Sequence, residues 1–90
     1  MKGSYEILIR RSAEKEIRDL PIGARARVVA RIRALAETPR PPGCEKLSGR
    51  DAYRIRVGEY RVIYTIADRI LVVEVVRVAH RKDVYRKQGA

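Results

Sequence analysis

Neither tryptophan nor phenylalanine occurs in this 90-residue chain, and cysteine, histidine and methionine occur once each. With no large apolar ring available, valine, isoleucine, leucine and five tyrosines must fill the core. The lone Cys44 excludes an internal disulfide and a cysteine metal cluster, and beside a Pro-Gly loop it reads as an incidental thiol. One histidine and carboxylates without ligand spacing offer no metal-binding set, so catalysis without metal or other cofactor is expected. The longest apolar run, Ile70 to Val73, is far shorter than a membrane span, and the opening residues lack the apolar stretch of a signal peptide. A cytoplasmic protein with no membrane partner is expected.

Acidic residues are also scarce: 11 against 21 basic ones, for a net charge of +10. Sixteen of the basic residues are arginine and five are lysine. Guanidinium presents a planar fork of donors that matches phosphate bidentately and stacks on base faces, which an ammonium cannot do. Each half of the chain holds about five of the excess charges, so a polyanion would meet the folded body and not a basic arm. With 46% hydrophobic residues, the composition is that of one globular domain spanning residues 1–90.

The pattern along the chain predicts an α+β fold of order β-α-α-β-β-β. Tyr5, Ile7 and Ile9 alternate with Glu6, Leu8 and Arg10, as in a strand. Ser12 is a candidate cap for a helix in which Ala13, Ile17 and Leu20 recur at helical spacing, ended by Pro21. A second helix reads from Ile22 to about Glu37 on the stripe Ala24, Val28, Ile32 and Leu35. The segment from Thr38 to Cys44 contains three prolines and must be a loop. From Tyr53 to Val78, β-branched runs punctuated at Gly58-Glu59 and Asp68-Arg69 suit a three-stranded meander. The expected architecture is a helical hairpin on one face of a curved antiparallel sheet that includes the opening strand.

A two-residue turn at Gly58-Glu59 would pair Val57 with Tyr60, Arg56 with Arg61, Ile55 with Val62 and Tyr53 with Tyr64. One face then carries the tyrosines and aliphatics, and the other Arg54, Arg56 and Arg61 with Ile63. Like charges directly opposite one another destabilise a sheet unless an anion lies between them, which points to a phosphate site. The same alternation also describes a plain solvated face.

The closing segment from Val78 to Arg86 supplies further residues. Together with Lys46 to Gly49, the run Tyr53-Arg-Ile-Arg-Val-Gly-Glu-Tyr-Arg-Val-Ile-Tyr64 and His80-Arg-Lys-Asp-Val-Tyr85, the sequence resembles the RelE family of toxins from bacterial and archaeal toxin–antitoxin pairs over nearly its whole length. The resemblance implies a RelE-like fold and a ribosome-dependent endoribonuclease, or mRNA interferase, that cuts messenger in the ribosomal A site and so inhibits translation. It places Arg61 and Arg81 on the family's catalytic arginines, Tyr85 on its terminal catalytic tyrosine, and Arg54 and Arg56 on a basic pair occupied by lysines in the family's best-known member. It further implies a cognate RelB-like antitoxin, and operator DNA as a partner only of the toxin–antitoxin complex. The hairpin face and the resemblance meet independently at Arg61.

Cleavage through the 2′-hydroxyl builds negative charge that guanidinium groups stabilise, a part assigned to Arg61 and Arg81. Arginine holds its proton too tightly to act as base, so Tyr85 and His80 are the candidates to accept the 2′ proton, with Tyr85 equally suited to stacking on a base. Arg25, Arg27, Arg31 and Arg33 on the second helix, with Lys46, are candidate contacts to ribosomal RNA, or ordinary solvated positions. Two other readings stay open: a ParE-like toxin that inhibits gyrase without cutting anything, and a non-catalytic RNA-binding module.

Overall fold

In the computed structural model, which describes residues 4–49 and 51–82, the chain runs β1 (Glu6–Ile9), α1 (Arg11–Arg18), α2 (Ile22–Ala34), β2 (Glu45–Lys46), β3 (Ala52–Val57), β4 (Tyr60–Ala67) and β5 (Val72–His80). The strands form one sheet of order β1-β5-β4-β3-β2, with β3, β4 and β5 as the expected antiparallel meander. The helices cover one face. Ala13 and Ile17 of α1 and Val28 and Ile32 of α2, with Leu35 just beyond it, pack on Ile55, Val57, Val62, Tyr64, Val73, Val75 and Val78. Among the described residues no helix is long and apolar enough to cross a membrane.

The sheet is mixed and not wholly antiparallel as expected. β1 pairs parallel with β5, Glu6 opposite Val72 and Ile9 opposite Val75. Parallel neighbours need a long crossover, and α1, α2 and the proline loop provide it. The Tyr5 N–H donates to the Ala36 carbonyl at 2.7 Å, tying the start of β1 to the end of α2. The short β2 also lies outside the expected order; it pairs Glu45 with Arg54 and Lys46 with Tyr53. An irregularity where Ile63 faces Arg77 but Tyr64 faces Val75 leaves Val76 as an extra residue on β5, which bends the sheet.

Both helix ends differ from the expected bounds. The N-cap of α1 is Arg10, with no side-chain cap, and Ser12 lies one residue inside the helix. The Arg10 N–H still donates to Val75 at the end of the β1–β5 ladder while its carbonyl accepts from Glu14, so the strand hands directly to the helix. α2 stops at Ala34, and its last turn tightens into bonds from Leu35, Ala36 and Glu37 back to Ile32, Arg33 and Ala34.

The proline loop is pinned from both sides. The fully buried Tyr64 donates its hydroxyl to the Pro39 carbonyl at 2.7 Å. Arg40 lies over the Tyr53 ring, 5.1 Å from its centre, and donates to both oxygens of Asp68 at 3.2 and 2.9 Å. Tyr5 donates to the same carboxylate at 2.7 Å. These bonds fix where the loop delivers Gly43 and β2.

Candidate functional site

The β3–β4 hairpin has the register that its sequence dictates: Val57 faces Tyr60, Arg56 faces Arg61, Ile55 faces Val62 and Tyr53 faces Tyr64. Gly58 opens the two-residue turn at φ +60°, the conformation required at the first position of a type II′ turn and free of penalty only for glycine. Because the register is fixed, Arg56 and Arg61 are held opposite one another on the face away from the helices.

Arg61 is 8% exposed, and among the described residues it is the one buried charged side chain. Its Nη1 is fully enclosed and has no hydrogen-bond partner among the described residues. Burying such a donor unpaired costs about 1–3 kcal/mol, and more when it carries charge. On its β5 side Arg61 faces Ala79, a side chain too short to offer a polar atom. Arg61, Arg56 and Arg54 line a cavity of about 60 Å³ whose remaining wall is Gly43 and Glu45.

Glu45 was not anticipated from the sequence. As the first residue of β2 it lies across from Arg54, whose Nε and Nη2 both donate to its Oε1, the former at 3.1 Å. These bonds hold its carboxyl below the ordinary carboxylate range, with the Arg54 charge and the neighbouring charges of Arg56 and Arg61 adding to the effect. Three guanidinium groups thus share one carboxylate. The local surplus is positive, and the orphaned donor on Arg61 belongs to that surplus.

The other sequence candidates are placed differently. Arg81 sits at the hairpin turn, where its N–H donates to the Glu59 carbonyl at 2.9 Å and its Nε lies 3.2 Å from the Glu59 carboxylate; half-exposed, it borders the arginine face without lining the cavity. His80 pairs with Tyr60 one strand position away from the Arg61–Ala79 pair, which puts it on the opposite face of the sheet. There its ring meets Tyr60 edge-on at 5.5 Å, and its Nδ1 accepts the Lys82 N–H at 3.3 Å. It lines a separate cavity with Glu16, Asp19 and Leu20, away from the arginines. Tyr85 lies outside the described residues.

On α2, Arg25 donates to the carbonyls of Arg18 and Leu20 at 3.2 and 3.3 Å, closing the exposed end of α1. Its guanidinium is already engaged in structure. Arg27 reaches to Gly58, where its Nη2 would stand 3.7 Å from a Cβ added there, so it extends the basic surface onto the hairpin turn. Arg31 and Arg33 are exposed in the last turn of α2, and Lys46 approaches Asp51 at 3.9 Å. Among the described residues no three His, Cys, Asp or Glu side chains are grouped as a metal site would need.

Comparison with solved structures places the fold in a known context. The chain is similar to the archaeal RelE–RelB complex from Pyrococcus horikoshii OT3, with 28% identity and a TM-score of 0.79 over 87% of this chain and 96% of that one. It is similar to the isolated E. coli RelE toxin, with 30% identity and a TM-score of 0.76 over 94% and 95% of the two chains. It also resembles the intact E. coli RelBE toxin–antitoxin complex, with 30% identity and a TM-score of 0.76 over 86% and 96%. A search of curated protein sequences finds no match. A sequence profile described as the ParE toxin of the type II toxin-antitoxin system, parDE, matches residues 7–85. The chain therefore belongs to the RelE/ParE superfamily of type II toxins, as a member of the ParE toxin family with a RelE-like fold.

Proposed function

We propose that this toxin is a ribosome-dependent endoribonuclease that cuts messenger RNA in the ribosomal A site and is held in check by a RelB-like antitoxin in the cytoplasm. The observation that carries the reading is the buried, unpartnered Nη1 of Arg61 on the wall of an arginine-lined cavity. A guanidinium N–H enclosed without a partner is preorganised for an anion, and away from bulk water it stabilises developing charge far better than it would in water.

In the proposed reaction the 2′-oxygen attacks the adjacent phosphorus as the bond from phosphorus to the 5′-oxygen breaks. The products are a 2′,3′-cyclic phosphate and a 5′-hydroxyl. Arg61 receives the charge that grows on the phosphoryl oxygens, and Arg56 stands across from it on the open side. Arg81 approaches from the hairpin turn by exchanging its contact with Glu59 for phosphate. Tyr85 is assigned to the messenger base beside the cut, by stacking. Arg27, Arg31 and Arg33 supply a basic surface for ribosomal RNA. Operator DNA is a partner of the toxin–antitoxin complex alone. The RelE–RelB and RelBE complexes among the similar structures support a RelB-like partner.

The match to the ParE profile favours a second reading, inhibition of gyrase without cleavage. One experiment separates them. The purified protein is added in parallel to ribosomes programmed with a defined messenger and to a gyrase supercoiling reaction. Cleavage in the A-site codon with gyrase unaffected is expected. Intact messenger with supercoiling blocked would replace the nuclease reading by the gyrase one, and ribosome binding with neither effect would leave an RNA-binding module.

A further inference from the structure

Given the nuclease reading, on which this inference rests, we infer that a second cavity on the open face of the sheet receives an uncharged messenger base, the neighbour of the one assigned to Tyr85. From the turn outward, the β3–β4 hairpin presents three cross-strand pairs on that face: Arg56 with Arg61, Arg54 with Ile63, and Ala52 with Thr65. The arginines line the cavity described above, whereas Ile63, Ala52 and Thr65, with Val76 of β5, line another of about 280 Å³. The Arg54–Ile63 pair is the boundary between the two. Two residues along a strand advance about 7 Å, the scale of the step from a phosphate across one ribose to its base. A nucleotide whose phosphate meets Arg61 can therefore lay its base beside Ile63.

The chemistry of the walls suits a flat heterocycle. The short Ala52 leaves room opposite Thr65, and the irregularity in β5 brings the extra Val76 to the cavity. Ile63 and Val76 offer apolar surface that takes the faces of a ring out of water. Arg10 and Asp51 stand at the rim, and each has its own counter-ion: the Arg10 Nε lies 3.5 Å from Glu74, and the Asp51 carboxylate 3.9 Å from the Lys46 ammonium. The second cavity thus lacks the positive surplus of its neighbour and favours an uncharged occupant. Arg10, Asp51 and the Thr65 hydroxyl supply donors and acceptors for the polar edge of a base. A mainly apolar hollow with a few convergent polar groups is the usual form of a small-ligand site, and unpaired RNA is commonly held with its bases splayed into such places.

The test uses the full-length toxin on programmed ribosomes, with an ordinary messenger and with messengers made abasic at each nucleotide flanking the cut in turn. The parent should cut the abasic messenger about tenfold or more slowly at the flank that enters the cavity. Thr65→Phe puts a protein ring into the slot, at a strand position that suits aromatic residues, and should melt as the parent does. It should cut the ordinary messenger about tenfold more slowly, with the ratio between ordinary and abasic messenger at that flank reduced to about one, because both changes remove the same contact. Thr65→Val, which keeps the size and loses only the hydroxyl, should keep most of the ratio. A parent indifferent to both abasic messengers, or a Thr65→Phe variant that keeps the parental ratio, would overturn the assignment. So would a parent that elutes as a dimer where Thr65→Phe elutes as a monomer, which would give the cavity to a second copy of the chain. A parent that leaves the ordinary messenger intact would overturn the nuclease reading itself.

Discussion

Replacing Arg61 with methionine should make this toxin more stable and inactive in the same step. Arg61 is 8% exposed, its Nη1 is enclosed without a partner among the described residues, and its cross-strand neighbour is the like-charged Arg56. Methionine keeps the length and apolar stem that pack against the sheet while removing the charge and the orphaned donor. The unpaired donor alone accounts for about 1–3 kcal/mol, and buried ionic groups exchanged for apolar ones of similar volume often gain about 1–4 kcal/mol. The attraction lost between Arg61 and Glu45 is a smaller term, because Glu45 is already bonded to Arg54. A net gain of about 1–2 kcal/mol corresponds, for a domain of this size, to a rise in Tm of roughly 5–15 °C. Thermal unfolding in low salt reads this directly, and inorganic phosphate should raise the Tm of the parent more than that of the variant. Cleavage on the ribosome should fall by at least about a hundredfold. A variant that melts below the parent, or that still cuts, would refute the claim that Arg61 is held strained for an anion.

Other substitutions probe the remaining parts. Arg81→Ala should leave the unfolding free energy within about 1 kcal/mol of the parent's, since its pair with Glu59 is half-exposed, yet reduce cleavage by about a hundredfold; a full loss of folding would contradict its placement at the surface. Tyr64→Phe removes the donor to Pro39 and should cost about 1–2 kcal/mol in chemical unfolding, with cleavage reduced because the same loop delivers Gly43 and Glu45 to the wall of the arginine cavity. For Asp68, the bonds from Arg40 and Tyr5 depress the carboxyl pKa in the folded state, so its contribution is present above the unfolded value of about 4 and is lost as pH falls through the folded one. Asp68→Asn should therefore flatten the acid limb of the stability profile below about pH 4 and leave its shape at neutral pH unchanged.

How much of this was legible in the residues depends on what fixes each position. The hairpin could be registered residue by residue because a two-residue turn at Gly58-Glu59 leaves no freedom in the pairing that follows, and the polar and apolar residues then sort themselves to two faces. The stripe of α2 was equally readable, since Ala24, Val28, Ile32 and Leu35 are all buried. The direction of β1 was not, because alternation shows that Tyr5 to Ile9 form a strand and says nothing about which neighbour it joins. β2 is only two residues long and too short to carry any period. Glu45 was hidden for that reason: one residue before Lys46, it gains meaning only from the strand pairing that places it across from Arg54. The four arginines of α2 look alike in sequence, but the turn between the helices gives Arg25 two carbonyls to bond and sends Arg27 to the hairpin.

The central claim is that the arginine cavity cuts RNA through its own 2′-oxygen. The most direct measurement is the mass of the upstream messenger fragment released from a programmed ribosome. The proposed chemistry predicts a fragment that ends within the A-site codon in a 2′,3′-cyclic phosphate and is missing when Arg61→Met replaces the parent. An intact messenger, or a fragment ending in a free 3′-hydroxyl, would contradict it.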